Sequence, residues 1–466
     1  MRLSELFREV EFDGSIKNDA DINLVTDDSR LVRPGSLFVC IRHRSFDGHT
    51  AALDALASGA AAVVTQDRLG LENELHVADS RSTYARLCAA LCNHPERKLR
   101  MIGVTGTNGK TTVTTLIRNI LSDSGTKTLL TGTVCNRLGD ENLPSGLTTP
   151  KPPELYSLLS RAVSQRCKAC VMEASSQALA QGRLEGIDFD AAVFTNITRD
   201  HLDYHGTFEN YISAKKKLFE HSALSIVNLD DPRTNEIIAA SKGKIITFST
   251  VLDCADYTAK NISLLSDCVR FELVSKGHIE HIEFASPGLF SVSNAMAAAV
   301  CAINLGIEPK DAAQSLAKSK SVCGRLERVE CSAPYSVIID YAHTPDGLEQ
   351  VLRALRPSCR GKLIVLFGCG GDRDRTKRPL MGAAACKYAD KIIVTSDNPR
   401  SEDPTKIIGD ILKGTDKKRR DLFVEPDRRK AIALALKTAE PGDTVLLAGR
   451  YRERLQTLVL KKPPTP

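Results

Sequence analysis

Two hydrophobic patterns alternate along most of this chain. Short continuous apolar runs, typical of strands buried in a sheet, are separated by stretches whose apolar residues recur every three or four positions, as on one face of a helix. Between residues 99 and 328 the runs are MIGV, ACVM, AAVFTN, LSIVNL and KIITFS. This alternation predicts a mostly parallel sheet built from strand–helix units.

Two further blocks flank this central one. Residues 1–98 contain the strand-like runs SLFVCI and AAVVTQ and end at the polar break NHPERK. Residues 329–466 resume the alternation in SVIIDYAH, KLIVLFG, KIIVTSDN and TVLLAG, which predicts a second, Rossmann-like doubly wound sheet. A length of 466 residues suits about three domains. We therefore predict an α/β chain with domains at residues 1–98, 99–328 and 329–466.

The composition is that of an ordinary soluble α/β protein, since 42% of the residues are hydrophobic and 26% are charged. It excludes disordered and fibrous proteins but few other classes of protein. The N-terminal segment MRLSELFREVEF is interrupted by charges, unlike an export signal. The most apolar run, AALDALASGAAAVV, is shorter than the roughly 20 residues of a membrane span and contains an aspartate. We expect a cytoplasmic protein without membrane insertion.

The 14 cysteines are expected to be reduced thiols. Cys167 and Cys170 form a CxxC, but no second pair follows at metal-site spacing, and Cys170 lies in the strand-like ACVM, so we interpret both as structural. The net charge of +6 is mild, and few aromatic residues accompany the scattered Lys and Arg. We expect no nucleic-acid partner, and the run KKRR at 417–420 is interpreted as solvated surface.

The segment GVTGTNGKTT, residues 103–112, nearly fits a phosphate-binding loop. The usual signature has four residues between the first Gly and Gly-Lys-Ser/Thr, whereas Gly103 stands one position too early. An apolar run precedes the segment, and a helical pattern follows it until Gly125. This context favours a nucleotide site over a plain glycine turn, which would not explain Lys-Thr-Thr at a helix start. The predicted contacts are Gly106, Thr107, Asn108, Gly109, Lys110, Thr111 and Thr112.

Further segments occur together along the chain, namely MEASS, TNITRDHLDYHG, SAKKKLF, GRLE, DYAHTPD, GDRDRTKRP and DNPRSEDP. With the phosphate loop they resemble the Mur ligases of bacterial cell-wall synthesis, from DDSR in the first block to LLAG near the end. DNPR is the most specific segment, because it looks like the diaminopimelate-recognition signature within that family. The resemblance implies a three-domain Mur ligase architecture with a central P-loop-type sheet. It further implies a monomer that joins meso-diaminopimelate to UDP-N-acetylmuramoyl-L-alanyl-D-glutamate.

The reaction implied by the resemblance is amide formation, in which ATP phosphorylates a carboxylate and an amine then displaces phosphate. Phosphoryl transfer depends on positioning and charge neutralisation, so ATP with Mg²⁺ and Lys110 is chemically sensible. The resemblance implies Lys110, His201 and Lys215 as catalytic residues, and Thr111, Glu173, His201 and Lys215 at the metal ions. Glu173 follows the strand-like ACVM, where open sheets place ligand residues. A surface glutamate is the alternative.

Helical spacing in ENYISAKKKLFEH places Lys215 on the apolar face with Tyr211 and Phe219, and turns Lys216 away. A lysine against apolar neighbours exposes a neutral amine, which can react with CO₂. The resemblance implies a carbamylated lysine at this position. Sequence alone favours the alternative, a lysine whose charge reaches water.

His201 stands in RDHLD after the strand-like AAVFTN. A lone histidine is usually structural, but the resemblance makes this one a ligand of the second metal ion. Asp200 and Asp203 are candidates to orient its ring or join the metal shell. Asn196 is a further candidate to support the site.

The resemblance also assigns substrate contacts. For the uridine nucleotide they are Ser29, Arg44, Ser45, Phe46, Thr148, Thr149, Ser175, Gln181 and Arg183. For ATP they include Asn294, Arg325, His343 and Asp346. For diaminopimelate they are Arg373, Asp397, Asn398, Pro399, Arg400, Gly449 and Glu453. DNPR combines a hydrogen-bond acceptor, an amide and a guanidinium, which suit the ammonium and the carboxylate that diaminopimelate carries side by side. The alternative is an Asn-Pro turn flanked by charges.

The chain departs from the family after TVLLAG, where relatives continue Lys-Gly-His-Glu and this chain reads AGRYRERLQTLVLKKPPTP. Aligned without a gap, Tyr451 replaces a glycine and Arg452 a histidine beside Glu453. A tyrosine is strained where the backbone needs positive φ. Two alternatives therefore stay open: a nucleotide-binding relative with an impaired amino-acid site, and a folylpolyglutamate synthetase-like ligase, which DNPR and the first block disfavour.

Overall fold

A computed structural model of the chain describes residues 1–43, 46–320, 322–416 and 419–449. In these residues the strands form three separate sheets. They follow the three blocks of the sequence pattern, except that residues 327 and 328, at the end of the predicted central block, pair into the third sheet. The predicted α/β class with parallel-dominated sheets is confirmed. No helix of the described residues is long and apolar enough to cross a membrane.

The first sheet has four described strands, all parallel, in the order β1-β2-β3-β4. Its two faces are covered by α2 and α3, and β2 is buried throughout. Its elements are α1 (Leu3–Leu6), β1 (Leu24–Thr26), β2 (Ser36–Val39), α2 (Ala52–Ala57), β3 (Ala60–Thr65), β4 (Glu74–His76) and α3 (Ser80–Leu91).

The central sheet has eleven described strands in the order β15-β14-β13-β12-β11-β10-β5-β9-β6-β7-β8. From β13 to β6 neighbouring strands are parallel, and an antiparallel extension lies at each edge. Its strands are β5 (Arg100–Thr105), β6 (Thr128–Thr131), β7 (Asn136–Leu138), β8 (Glu141–Leu143), β9 (Ala169–Glu173), β10 (Ala191–Phe194), β11 (Leu224–Asn228), β12 (Lys244–Ser249), β13 (Tyr257–Leu264), β14 (Val269–Ser275) and β15 (His278–Phe284).

Helices cover both faces of the central sheet, as expected for strands that are continuous apolar runs. Helices α4, α10 and α11 pack together on one face. The helices of this block are α4 (Lys110–Asp123), α5 (Pro152–Ser164), α6 (Ser176–Ala180), α7 (Leu202–His205), α8 (Phe208–Glu220), α9 (Thr234–Ala240), α10 (Leu289–Asn304) and α11 (Pro309–Lys318). Cys167 and Cys170 are buried, the second within β9, which confirms their structural interpretation.

The third sheet has the order β16-β17-β21-β18-β19-β20 and is parallel apart from β16. Helices α12, α13 and α14 cover one face and α15 the other. Its elements are β16 (Glu327–Arg328), β17 (Ser336–Asp340), α12 (Pro345–Leu355), β18 (Leu363–Phe367), α13 (Lys377–Tyr388), β19 (Lys391–Val394), α14 (Pro404–Leu412), β20 (Leu422–Val424), α15 (Arg428–Lys437) and β21 (Thr444–Ala448).

Candidate active site

The phosphate-loop segment connects β5 to α4 at the carboxyl ends of the central strands. Gly106, with φ of +152°, and Gly109, with φ of +88°, adopt backbone conformations that favour glycine. A Cβ at Gly106 would overlap the Thr195 hydroxyl, and one at Gly109 would lie 2.5 Å from Asn294 Oδ1. The loop therefore passes directly against the end of β10 and against α10, which requires glycine at both positions.

Two lysines converge on this loop. Lys110 Nζ donates to the carbonyl oxygens of Gly106 at 2.8 Å and of Thr107 at 2.9 Å. Lys215 Nζ donates to the same Gly106 oxygen at 2.8 Å, and it lies 4.6 Å from the ring centroid of Tyr211. Burial lowers the pKa of both amines, and the charge of Lys110 lowers the pKa of Lys215 further. Lys215 is 1% exposed, so its predicted apolar position is confirmed and the alternative of a charge in water is wrong.

Glu173 ends β9 beside the phosphate loop and is 1% exposed, so the alternative of a surface glutamate is wrong. Thr111 Oγ1 donates to Glu173 Oε2 at 3.1 Å, and Arg325 Nη2 donates to Thr111 Oγ1 at 2.9 Å. Thr133 donates to both carboxylate oxygens, from its amide at 2.8 Å and its hydroxyl at 3.0 Å. Sequence reasoning missed Thr133, although a Gly-Thr pair directly after a strand is a signal for such a loop contact.

His201 begins the turn into α7 with φ of +54°. Its Nε2 lies 3.4 Å from Asp200 Oδ2, and His343 Nε2 lies 3.7 Å from the same oxygen. Burial lowers the pKa of His201 to about 3, which keeps the ring in the neutral form that binds metal ions. Burial would raise the pKa of Asp200, but the hydrogen bond and charge of His343 hold it well below its ordinary range.

Asn108 joins the phosphate loop to the block of the third sheet. Its amide donates to Asn196 Oδ1 at 3.0 Å, and its Nδ2 donates to Asp346 Oδ2 at 3.1 Å. Burial raises the pKa of Asp346. Three of the residues predicted for ATP outside the loop therefore lie against it, namely Asn294, Arg325 and Asp346. The fourth, His343, lies against Asp200 beside His201. Thr112 is buried in the first turn of α4.

Several predicted uridine-nucleotide contacts form one hydrogen-bonded group next to Glu173. Thr149 Oγ1 donates to Ser175 Oγ at 3.0 Å. Arg183 donates to the Thr149 carbonyl at 2.7 Å and to Gln181 Oε1 at 2.9 Å, and burial lowers the pKa of its guanidinium. Thr148 Oγ1 lies 3.0 Å from Thr133 Oγ1, at the edge of the same group.

The first block reaches this group through its DDSR segment. Asp27 Oδ2 lies 3.4 Å from Lys151 Nζ and 3.4 Å from His43 Nε2. Ser29 begins a short 3-10 turn two residues later. Phe46 is 50% exposed and is not drawn into the group, whereas Arg44 and Ser45 lie outside the described residues.

The DNPR segment, Asp397 to Arg400, follows β19 and faces the loop after β18. Gly371 N donates to Asn398 O at 2.8 Å, and Arg400 donates to Gly371 O. A Cβ on Gly449 would lie 3.1 Å from Asp397 Oδ2, so the end of β21 meets DNPR as the predicted amino-acid site requires. Pro399 lies within this segment. The predicted contact Glu453 and its neighbours Tyr451 and Arg452 lie outside the described residues.

Two ion pairs cross the junction between the RDHLD segment and the GDRDR segment. Arg199 Nε lies 3.7 Å from Asp374 Oδ2, and its Nη2 donates to Thr376 Oγ1 at 3.1 Å. Arg373 Nη1 lies 3.6 Å from Asp203 Oδ2. Each side supplies one arginine and one aspartate, so we call these the reciprocal pairs. They hold Arg373, a predicted amino-acid contact, against Asp203, two residues after the predicted metal ligand His201.

A separate cluster in the first block, Asp47, His49 and Asp67, has ligand atoms within 4.8 Å of one another. Arg42 pairs with both of these carboxylates. His49 Nδ1 lies 2.6 Å from Asp47 Oδ1, and its Nε2 accepts from Gln66 N at 3.1 Å. These groups are already engaged with protein partners, so we interpret the cluster as structural.

Family models match most of the chain. The "Mur ligase middle domain" matches residues 104–302, the "Mur ligase, glutamate ligase domain" matches residues 324–451, and the "Mur ligase family, catalytic domain" matches residues 21–90.

Two relatives are named UDP-N-acetylmuramoyl-L-alanyl-D-glutamate--2,6-diaminopimelate ligase. The protein of Syntrophomonas wolfei is 41% identical, and the match covers 98% of this chain and 95% of the relative. The protein of Caldanaerobacter subterraneus is 42% identical with the same shares. A solved structure of a ligase of that name is 34% identical with a TM-score of 0.71, covering 97% of this chain and 94% of the other. Mycobacterium tuberculosis folylpolyglutamate synthase complexed with ADP, at 19% identity and a TM-score of 0.67 over 83% of this chain and 96% of the other, shares the fold alone.

Proposed function

The chain belongs to the Mur ligase family, and we propose that it joins meso-diaminopimelate to UDP-N-acetylmuramoyl-L-alanyl-D-glutamate at the expense of ATP. It is an ATP-dependent, amide-forming ligase of peptidoglycan precursor synthesis. The observation that carries this proposal is the Arg373–Asp203 pair. It joins the GDRDR segment, which holds a predicted amino-acid contact, to the RDHLD segment, which follows β10 beside the phosphate loop. The relatives named for this reaction support it.

In the first step the γ-phosphoryl group of ATP passes to the terminal carboxylate of the nucleotide, and ADP leaves. Lys110 places its amine at the Gly106 carbonyl, where phosphate oxygens would lie. We assign Lys110 to the γ-phosphate, because it is the first residue of α4 and its amine donates to the carbonyl oxygen of Thr107 in the loop. Loop amides and the start of α4 would bind the remaining phosphates.

Thr111 and Glu173 fit a magnesium ion, because both present oxygen atoms, 3.1 Å apart, and oxygen is the ligand that magnesium prefers. Bound there, the ion would neutralise phosphate charge. Thr133 would hold the Glu173 carboxylate in position through its two hydrogen bonds.

His201 and Lys215 are our candidates for a second magnesium ion. Both side chains lie against Tyr211. The ring centroids of His201 and Tyr211 are 6.4 Å apart, and Lys215 Nζ lies 4.6 Å from the Tyr211 centroid. A protonated amine offers no lone pair to a metal, so this role requires the carbamate of Lys215. A gain of one CO₂ on the peptide containing Lys215, seen by mass spectrometry under bicarbonate, would test it.

In the second step the amine of diaminopimelate attacks the acyl phosphate, and inorganic phosphate leaves from the tetrahedral intermediate. Arg400 and Arg373 would bind carboxylate, and Asp397 the distal ammonium. We also propose that the chain divides into domains at residues 1–98, 99–328 and 329–466. At the second boundary, β16 pairs with β17 of the third sheet. Action as a monomer stays a prediction.

The test uses purified protein with ATP, Mg²⁺ and the dipeptide nucleotide, and compares meso-diaminopimelate with L-lysine. We expect phosphate release that requires both the nucleotide and diaminopimelate. Release with lysine at equal efficiency would contradict the amino-acid assignment. Nucleotide binding without any turnover would instead favour an impaired relative.

A further inference from the structure

We propose that the buried ion pair between Arg378 and Glu402 positions the two loops that select the amino acid. The loops are residues 370–373, here the GDR loop, and residues 397–402, here the DNPR loop. The inference rests on the proposed function, which places Arg373 and Arg400 at the amino acid. Neither Arg378 nor Glu402 is itself assigned to a substrate.

The ion pair is two-pronged and almost fully enclosed. Arg378 Nη2 lies 2.7 Å from Glu402 Oε1, and Nη1 lies 3.1 Å from Oε2. The Arg378 side chain is 1% exposed and that of Glu402 is 11% exposed. Arg378 Nη1 also lies 3.0 Å from Asp410 Oδ2 of α14. Two parallel contacts fix the orientation of the carboxylate as well as its distance, so α13 holds the DNPR loop at a defined angle.

Glu402 ties the second loop to the first. Asp372 N, in the GDR loop, donates to Glu402 Oε1 at 2.6 Å. In return Ser401 donates to the Asp372 carboxylate from its amide at 3.1 Å and from its hydroxyl at 2.8 Å. Both loops therefore contact one carboxylate, which the enclosed Arg378 binds from α13. The exposed Arg375 also lies 3.1 Å from Glu402 Oε2.

Stability alone does not account for this arrangement. A buried ion pair costs desolvation, and apolar residues of similar volume often stabilise a fold as well or better. What the pair adds is geometry: Arg373 is the next residue after Asp372, and Arg400 stands two before Glu402. Diaminopimelate differs from lysine by one carboxylate, so its selection depends on where these two guanidinium groups lie. A misplacement of about 1 Å can cost on the order of a hundredfold in rate.

The test compares Glu402→Gln and Arg378→Lys with Lys413→Ala, a control that removes the exposed partner of Asp410. KM for meso-diaminopimelate, ATP and the dipeptide nucleotide is measured for each, with the preference for diaminopimelate over L-lysine. We expect KM for diaminopimelate to rise about tenfold or more in the first two variants and their preference to fall. KM for ATP and for the nucleotide should stay within about twofold, and the control should match the parent.

A parallel rise in all three KM values, or no rise in any, would overturn the proposal in favour of a purely structural pair. Should the parent accept a different amino acid, the proposed function fails while the same comparison of KM values still tests the ion pair. If either variant does not fold, Asp410→Asn tests the arrangement instead, because it removes the second carboxylate that fixes the orientation of the Arg378 guanidinium. An unchanged KM for diaminopimelate in that variant would then contradict the proposal.

Discussion

Lys110 and Lys215 donate to a single acceptor, the carbonyl oxygen of Gly106, each at 2.8 Å. The two amines come from different helices, α4 and α8, and a peptide oxygen rather than a carboxylate holds them together. The charge of Lys110 also lowers the pKa of Lys215. Because the shared acceptor is neutral, it does not cancel the charge of Lys110, which stays available to an incoming phosphate.

Lys110→Ala should abolish ligation without unfolding the protein. The substitution removes the charge assigned to the γ-phosphate and leaves the apolar face of α4 intact. Coupled phosphate release measures activity, and circular dichroism with a thermal melt checks the fold. Near-parental turnover in a folded variant would show that the phosphate loop is assigned wrongly.

Lys215→Ala should also be inactive, and formate or acetate should partly restore turnover by replacing the carbamate oxygens. The matched control is Lys217→Ala, in the same helix but exposed, which should keep parental activity with or without added carboxylate. Rate is measured against carboxylate concentration. Unchanged activity in Lys215→Ala would return this lysine to a packing role.

Arg400→Ala should raise KM for diaminopimelate strongly and leave KM for ATP nearly unchanged. Truncating one partner of a charged contact that the bound substrate would bury costs roughly 2–5 kcal/mol, which corresponds to at least about thirtyfold in KM. Steady-state kinetics with each substrate varied in turn separate the two constants. A KM for diaminopimelate that hardly moves would show that DNPR does not recognise this amino acid.

Charge reversal at Arg199 and Asp374 tests whether their ion pair helps to hold the junction. Arg199→Glu alone places two negative charges opposite each other, so kcat/KM should fall by about three- to fivefold, as suits a pair whose arginine is exposed to water. Combining it with Asp374→Arg restores opposite charges and should recover most of the loss. Equal losses in the single and the double variant would remove this pair from any role in activity.

Acid should expose the contribution of Glu402 to stability. Hydrogen bonding to Arg378 lowers the pKa of Glu402 from its ordinary 4.5 to about 2. Since the folded-state pKa lies below the unfolded one, the ionised form stabilises the fold above about pH 4.5, and this contribution is lost as pH falls towards 2. The difference in urea midpoint between the parent and Glu402→Gln should therefore shrink over that range. A constant difference from pH 7 to pH 3 would contradict this assignment.

Much of the site was predictable because it lies where a local pattern ends. The strand before Gly106, the helical face that buries Lys215 and the position of Glu173 at the end of β9 each follow from spacing within about ten residues. The structure confirms all three placements. Their chemical roles stay predictions.

Contacts between distant segments were not predictable from such patterns. Thr133 bonds Glu173 across 40 residues, Asn108 bonds Asp346 across 238, and Arg199 bonds Thr376 across 177. The first depends on which strands are neighbours in the central sheet, and the other two on how the central block meets the third sheet, and periodicity encodes neither. The Arg378–Glu402 pair was hidden for a related reason, since both residues stand in charged runs that look like ordinary surface.

The reciprocal pairs have a consequence for the physical conditions under which the enzyme works. Both are partly exposed, with Arg199 at 56% and Arg373 at 39%, so mobile ions can screen them. At an ionic strength of about 0.15 M the Debye length is about 8 Å, and at 1 M it is about 3 Å. Concentrated salt should thus weaken both pairs and make it harder for the amino-acid segment and the phosphate-loop side to assemble into one site.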